Sequence, residues 1–403
     1  MEPTIDGHAT LRDRDMLCFS HDWNGDPLSK THLMRLLARR NRVLWVNSIG
    51  YRAPSISRRD AGRVVKKALA ALSPLQEPEP NLFVLNPIAV PAHGKPWVRS
   101  FNRWLLQHQV RSAMTNLGFQ RPINWVFNPA AAVVAGTLNE DMLIYYCVDE
   151  YSAFHGVRAE ALRVMEEDLL AKADLVITSA ERLWRAKRHA NPATFLVRHG
   201  VDWKHFRRAL DPRTPVPADL ASIRGPILGY FGLIGSDWVD QELIESVARR
   251  MPNVSFVMIG KITTDVTRLR AMPNIHLLGH RPYSSLPEYC RGFDAAFIPF
   301  PISDATLNAN PLKAREYLAA GLPVISTAIP EVEALGLCRI AADAASFAVH
   351  AAEALAQPGP QQSLSDAMRS ESWEARLADI EGLIASIASH RMPGMSHPER
   401  LAA

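Results

Sequence analysis

The sequence predicts an α/β protein made of two doubly wound parallel-sheet domains in tandem. Short apolar, β-branched runs alternate with helical patterns from one end of the chain to the other, as parallel strands covered by helices on both faces require. The 403 residues exceed what one ordinary core holds, so two domains of similar size are expected. Near the middle, R-R-A-L-D-P-R-T-P-V-P-A-D-L-A-S-I-R at 207–224 loses its periodicity and gathers prolines, which marks a linker.

Taken in order, the expected strands of the first domain, 1–206, are 16–20, 43–47, 82–85, 123–127, 143–148, 175–178 and 195–197. Those of the second domain, 225–365, are 227–231, 254–259, 275–278, 295–299 and 323–326. A largely helical segment at 366–390 contains Trp373, and 391–403 reads as a frayed tail.

A hydrophobic fraction of 47% and a charged fraction of 21% describe a soluble globular chain. No apolar run is long enough to span a bilayer, and the start M-E-P-T-I-D-G-H lacks the basic and apolar parts of a signal peptide, so a cytoplasmic location is expected. Cys18, Cys147, Cys290 and Cys338 lie far apart with no C-x-x-C spacing and read as reduced core residues.

The net charge of +4 is unevenly spread. Arg35, Arg39, Arg40, Arg42, Arg58, Arg59, Arg63, Lys66 and Lys67 crowd the first part of the chain, which suits an anionic membrane surface or an anionic substrate. Two basic amphipathic segments, 61–72 and 97–110, mix cations with apolar or aromatic residues as interfacial helices do. A core-facing stripe with a solvated basic face is the plain alternative for each, and no nucleic-acid partner is expected.

The most informative stretch is N-A-N-P-L-K-A-R-E-Y-L-A-A-G-L-P-V-I-S-T at 308–327. Asn310 as N-cap and Pro311 at the first helical position predict a helix start, and Gly321 followed by Pro323 predicts its end. Lys313 falls in the first turn, where the helix dipole disfavours a cation unless an anion lies nearby. A bound phosphate resolves that conflict, and Glu316, three residues on, lies on the same side to meet vicinal hydroxyls. A solvated Lys–Glu pair at helical spacing is the alternative.

Other loops fall at the carboxyl edges of expected strands, where open α/β sheets bind ligands. G-Y-F-G-L-I-G at 229–235 allows close backbone approach before a helix expected near Asp237, but is no dinucleotide fingerprint. Gly260-Lys261 and Gly279-His280-Arg281 end the next two strands, with simple turn punctuation as the alternative. In the first half, Ser20-His21-Asp22-Trp23-Asn24-Gly25-Asp26 and Asp149-Glu150-Tyr151 hold acids that are candidates for a general base or for helix caps. No metalloprotease pattern, D-x-D between strands, nucleophile elbow or P-loop appears, which counts against those chemistries.

N-P-L-K-A-R-E-Y-L-A-A-G-L-P-V-I-S-T resembles the nucleotide-sugar signature of the GT-B glycosyltransferases, especially the family-four-like bacterial enzymes of cell-surface polysaccharide synthesis. A-D-L-V-I-T-S-A-E-R-L, R-H-G-V-D-W-K-H-F, G-Y-F-G-L-I-G and M-P-N-I-H-L-L-G-H-R-P-Y-S-S-L-P-E-Y follow in family order, covering the chain from about residue 15 to the Trp373 helix.

The resemblance implies two Rossmann-like domains facing across a cleft, with the last helix returning to the first domain. It also implies transfer of a sugar from a nucleoside diphosphate donor to a glycan or lipid-linked glycan, with no metal and no cofactor beyond that co-substrate. By the same resemblance Glu316 holds the donor ribose, Lys313 the diphosphate, and the backbone of Asn310, Pro311 and Leu312 also meets phosphate. Gly232 and the His280-Arg281 loop border the donor, and the Arg198-His199-Gly200 turn approaches it.

Y-Y-C-V-D-E looks like the place where a xanthan-type inverting glucuronosyltransferase keeps its aspartate base, which makes Asp149 that base, with His21, Asp22 and Glu150 on the acceptor side. Asn308 stands where retaining members carry a second glutamate, and 233–240 holds neither the Arg nor the Lys usual there. Inversion is therefore favoured. A GT-B-like binding or scaffold protein, a non-hydrolysing epimerase and a phosphorylase are the rivals.

Overall fold

The computed structural model describes residues 11–49, 75–90 and 96–389. It divides into two compact units, Met1–Arg198 with Leu377–Ala403, and His199–Arg376. The basic segment 61–72, with Arg58, Arg59, Arg63, Lys66 and Lys67, and the tail 391–403 lie outside the described residues.

The first unit is built on an eight-stranded sheet in the order β3-β4-β2-β1-β5-β6-β7-β8. Its strands are β1 Asp15–Phe19, β2 Arg42–Val46, β3 Gln76–Glu79, β4 Leu82–Leu85, β5 Ile123–Val126, β6 Met142–Cys147, β7 Leu175–Thr178 and β8 Thr194–Leu196. All neighbours run parallel except β3 and β4. The middle strands are largely apolar because helices cover both faces; every residue of β6, M-L-I-Y-Y-C, is buried. β3 was not expected, since Q-E-P-E carries no apolar signal and pairs only along one edge.

The second unit has a six-stranded, all-parallel sheet in the order β11-β10-β9-β12-β13-β14. It comprises β9 Ile227–Phe231, β10 Ser255–Ile259, β11 Ile275–Gly279, β12 Ala295–Ile298, β13 Val324–Thr327 and β14 Arg339–Ala341. Alternate residues feed two separate cores: Ile227 and Phe231 join Ile298, Tyr317 and Val324 on one face, while Leu228 and Tyr230 join Phe256, Phe297 and Ile325 on the other. The three-residue β14, R-I-A, is too short for its pattern to register in the sequence.

The named helices are α1 Ser29–Ala38, α2 Pro96–Leu117, α3 Ala159–Lys172, α4 Glu181–Lys187, α5 Gln241–Arg250, α6 Leu312–Ala319, α7 Ala344–Leu355 and α8 Trp373–Ser389. Two boundaries differ from expectation. The second unit begins at His199, and the expected linker 207–224 belongs to it as short helices at Arg207–Leu210 and Ala218–Ala221. Phe206, Ala209 and Leu220 are fully buried in its core, which is why the proline-rich stretch folds down. The helix expected near Asp237 starts at Gln241 instead, because Asp240 caps it by accepting from Leu243 N at 2.9 Å.

The end of α6 follows from one glycine. Gly321 N donates to Leu318 O and Leu322 N to Tyr317 O, both at 2.9 Å, a complete Schellman motif with Gly321 at φ +80°. A Cβ there would lie 2.7 Å from the backbone of Gln361. Gly321→Ala is therefore expected to destabilise the protein by about 1–3 kcal/mol, lowering Tm by several degrees in a thermal melt; an unchanged Tm would remove this role for the glycine.

Candidate functional site

In doubly wound sheets ligands gather where the strand order reverses, beyond the carboxyl ends. In the second sheet that point lies between β9 and β12. Tyr317 ties α6 to it: its hydroxyl accepts from Phe231 N at 2.7 Å, and its ring packs on Phe231 with centroids 4.5 Å apart. This anchoring sets Lys313, one turn earlier, against the strand ends. Its Nζ sits 4.5 Å from the Phe300 ring centroid and 5.2 Å from that of Tyr230.

Gly232, at φ +138°, makes the room. A Cβ at 232 would lie 3.0 Å from Lys313 Cε, and one at Gly260 would lie 1.7 Å from Gly232 O. Gly232 and Lys313 are thus brought together, which the spacing of the glycines alone did not indicate. Phe300, Asp240, Ile302, Thr327 and Asp343 help line a cavity of 310 Å³, so its wall includes the aromatic seat of the lysine.

α6 starts one residue later than expected, with Pro311 rather than Asn310 as N-cap and no side-chain cap bond. The Asn310 amide is engaged elsewhere: its Oδ1 accepts from Arg315 Nη1 at 2.8 Å, and its carbonyl meets His199 Nδ1 at 2.9 Å. Arg315, 1% exposed, also reaches Glu371 at 3.2 Å. The backbone entering α6 is consequently fixed from both sides.

Burial pushes the Lys313 ammonium down to about 8, against the opposing pull of Glu316. It pushes the Glu316 carboxyl up to about 8, with Lys313 working against that and Asp202 with it. Burial dominates both shifts, and each group is the other's opposing charge.

Other expected donor residues stand differently. Arg281 is committed to Asp219 at 2.6 Å and to the Tyr289 hydroxyl at 2.8 Å, while His280 is exposed. Arg198, the last residue of the first unit, lies 3.9 Å from Glu181. Asn308 Nδ2 donates to Asp304 O at 2.7 Å and closes the short helix Asp304–Leu307.

In the first sheet the order reverses between β1 and β5. His21 follows β1 and sits edge-on to Trp45 with centroids 5.3 Å apart; its Nε2 is buried without a hydrogen-bond partner, and burial followed by the nearby Lys30 charge lowers its pKa to about 3. Asp22 is exposed and accepts from Ser48 N at 3.2 Å, a loop-closing role. Asp149 follows β6; burial raises its carboxyl to about 6, opposed by Lys30 and helped by Glu150.

Glu150 is occupied by Lys187 at 2.9 Å and Ser152 at 2.6 Å. Lys187 also meets Glu166 at 2.6 Å, and Tyr145 donates to Glu166 at 2.6 Å. Burial opposes ionisation of Glu150, but Lys187 and Ser152 outweigh it and hold its pKa below the usual carboxylate range. Sequence reasoning missed Lys30, Lys187 and Glu166 altogether. The one available signal was polar residues at the start of α1, S-K-T-H, directly after a strand-end loop.

Among the described residues, no three His, Cys, Asp or Glu side chains are grouped to hold a metal, and no helix is long and apolar enough to cross a membrane. The four cysteines are free; Cys18, Cys147 and Cys290 are buried and Cys338 is half-buried.

Residues 226–357 match the family model of the Glycosyl transferases group 1. A putative teichuronic acid biosynthesis glycosyltransferase of Bacillus subtilis (strain 168) is 25% identical over 222 residues, covering 51% of this chain and 55% of that one. The chain therefore matches only about half the length of this curated relative.

Among solved structures, sucrose-phosphate synthase from Thermosynechococcus elongatus aligns with a TM-score of 0.69 at 15% identity, over 94% of this chain and 100% of that one. The catalytic domain of starch synthase IV from Arabidopsis thaliana, bound to ADP and acarbose, gives 0.64 at 10% identity, over 94% and 100%. Anabaena HepE in complex with UDP and glucose gives 0.58 at 14%, over 93% and 99%. The chain has the GT-B fold, and the resemblance to family-four-like glycosyltransferases stands on this fold together with the group 1 segment of its second unit.

The raised Glu316 carboxyl has a stability consequence. Folded Glu316 keeps its proton up to about pH 8 while the unfolded residue releases it near 4.5. Stability from this group is thus full below 4.5 and is lost as pH rises toward 8. Glu316→Gln is expected to flatten the fall in Tm between pH 5.5 and 8; equal pH dependence in both proteins would refute the raised value.

Proposed function

We propose that the protein is a glycosyltransferase that moves a sugar from a nucleoside diphosphate sugar to a hydroxyl of a glycan or lipid-linked glycan in polysaccharide synthesis. The observation that carries this reading is Lys313 with Glu316 one turn on, at the reversal point of the second sheet, inside the group 1 segment. Lys313 and the amides at the start of α6 take the charge of the diphosphate, and Glu316 accepts from the ribose hydroxyls.

Asp149 takes the proton of the acceptor hydroxyl as its oxygen bonds to the anomeric carbon. The bond from that carbon to the diphosphate breaks, and its electron pair leaves with the diphosphate. A carboxylate raised to about 6 is ionised at neutral pH yet basic enough to accept the proton, which suits a general base. Such a base acting directly on the acceptor corresponds to inversion, and Asn308 offers no second carboxylate beside the donor. The teichuronic acid assignment of the curated relative supports the polysaccharide context.

Asn308 also keeps alive a GT-B-like binding protein without transfer activity. Lys313→Ala is expected to weaken nucleoside diphosphate binding by about tenfold to a hundredfold (~1.5–3 kcal/mol) in calorimetry. Asp149→Asn is expected to bind normally but lose at least about a hundredfold in transfer rate. Unchanged affinity would remove Lys313 from the donor site, undiminished turnover would remove Asp149 as the base, and binding without transfer by the wild type would select the rival.

The same reading includes contact with an anionic membrane surface. α2 buries Val98, Asn102, Leu106 and Val110, while Trp97, Phe101 and Trp104 face outward at 65, 44 and 62% exposure among Arg99, Arg103 and Arg111. The aromatic residues thus do not supply the core-facing stripe, and an outward aromatic row with basic neighbours suits a bilayer interface. Wild-type protein is expected to co-sediment with phosphatidylglycerol vesicles and the Trp97→Ser, Trp104→Ser double variant to stay in solution; equal behaviour of the two would discard this surface.

A further inference from the structure

Lys30 is the second residue of α1, only 8% exposed, in the unit that carries Asp149. Its Nζ lies 6.0 Å from the Phe127 ring centroid, just past the end of β5, between β1 and β6 in the sheet. The same phenylalanine braces the loop after β6, since its carbonyl accepts from the Tyr151 hydroxyl at 2.7 Å, two residues beyond Asp149. Phe127 therefore lies beside Lys30 through its ring and beside the loop that carries Asp149 through its carbonyl.

Of the groups around Lys30, Asp149 is the main acidic one. Asp149 is the first of the groups that oppose loss of its charge, followed by the Cys18 thiol on β1. That thiol is itself pushed up by burial, and His21 is held neutral by burial and by Lys30. Beside Asp149, Glu150 repels negative charge but is already matched by Lys187 from α4, which is shared with Glu166 from α3.

We propose that Lys30 is the positioning residue for Asp149: its ammonium, seated on Phe127, is the counter-charge that orients the Asp149 carboxylate as proton acceptor. The inference rests on the reading of Asp149 as base and extends it. Lys30 touches neither donor nor acceptor in this role. It lowers the affinity of Asp149 for a proton against the cost of burial, as an opposite charge nearby does.

The test is the pH profile of kcat/KM for Lys30→Met and Lys30→Arg. Wild type is expected to lose activity below about pH 6, where Asp149 takes up its proton. Lys30→Met is expected to move that acidic limb upward by about one unit, with activity recovering toward pH 8.5, and Lys30→Arg to restore it. A uniform loss at every pH, or an unmoved limb, would overturn the proposal.

A second measurement does not depend on turnover: titration of the Asp149 carboxyl by 13C NMR, assigned by difference from Asp149→Asn, with nucleotide affinity as the check on folding. The Asp149 midpoint should rise in Lys30→Met. A midpoint that stays put overturns the positioning role even if Asp149→Asn is inactive. A midpoint that rises while Asp149→Asn transfers normally supports the Lys30 coupling and overturns the base.

Discussion

Taking an ammonium out of water costs several kcal/mol unless anions or aromatic faces replace its hydration. Both units of this chain accept that cost at corresponding places. Lys30 and Lys313 are each the second residue of a helix, each placed where the strand order of its sheet reverses, and each set on the ring of a phenylalanine that follows a strand. Each faces one principal carboxylate, Asp149 or Glu316, that burial has made reluctant to ionise. Much of the surrounding structure serves these two positions, including the Tyr317 anchor, the Gly232 and Gly260 approach, and the Lys187 clamp that keeps Glu150 occupied.

The two differ in what surrounds the pair. At Lys313 the backbone before the helix is locked by Arg315 and His199 on Asn310, so the amides at the helix start are held in place before any ligand arrives. At Lys30 the neighbours are a thiol and a neutral imidazole, which contribute no counter-charge.

Most of the fold was legible because parallel strands buried on both faces write continuous apolar runs. β6 and β7 are cases in which burial and sequence coincide. β3 and β14 were not legible: one is polar and the other only three residues long, so their pairing depends on neighbours far along the chain. Lys313 and Glu316 could be read from spacing because both lie on one helix. Lys30 could not, since its burial depends on β5 and β6 being brought beside β1 from about a hundred residues away. The same holds for Glu150, whose partner Lys187 is 37 residues on, and for Arg281, whose partner Asp219 is 62 residues back.

The polar edge strand β3 has a consequence for how molecules of this protein meet one another. An open sheet edge is a template on which a second chain can add a strand. Here the outer strand is four residues long, contains Pro78 with no amide hydrogen to offer, and carries Glu77 and Glu79, the latter paired with Arg35 at 2.6 Å. A foreign strand arriving on that side meets a gap in the donor row and a charge to be stripped of water. The edge therefore discourages self-association through sheet extension, and its proline and charges act as the terminator of the sheet.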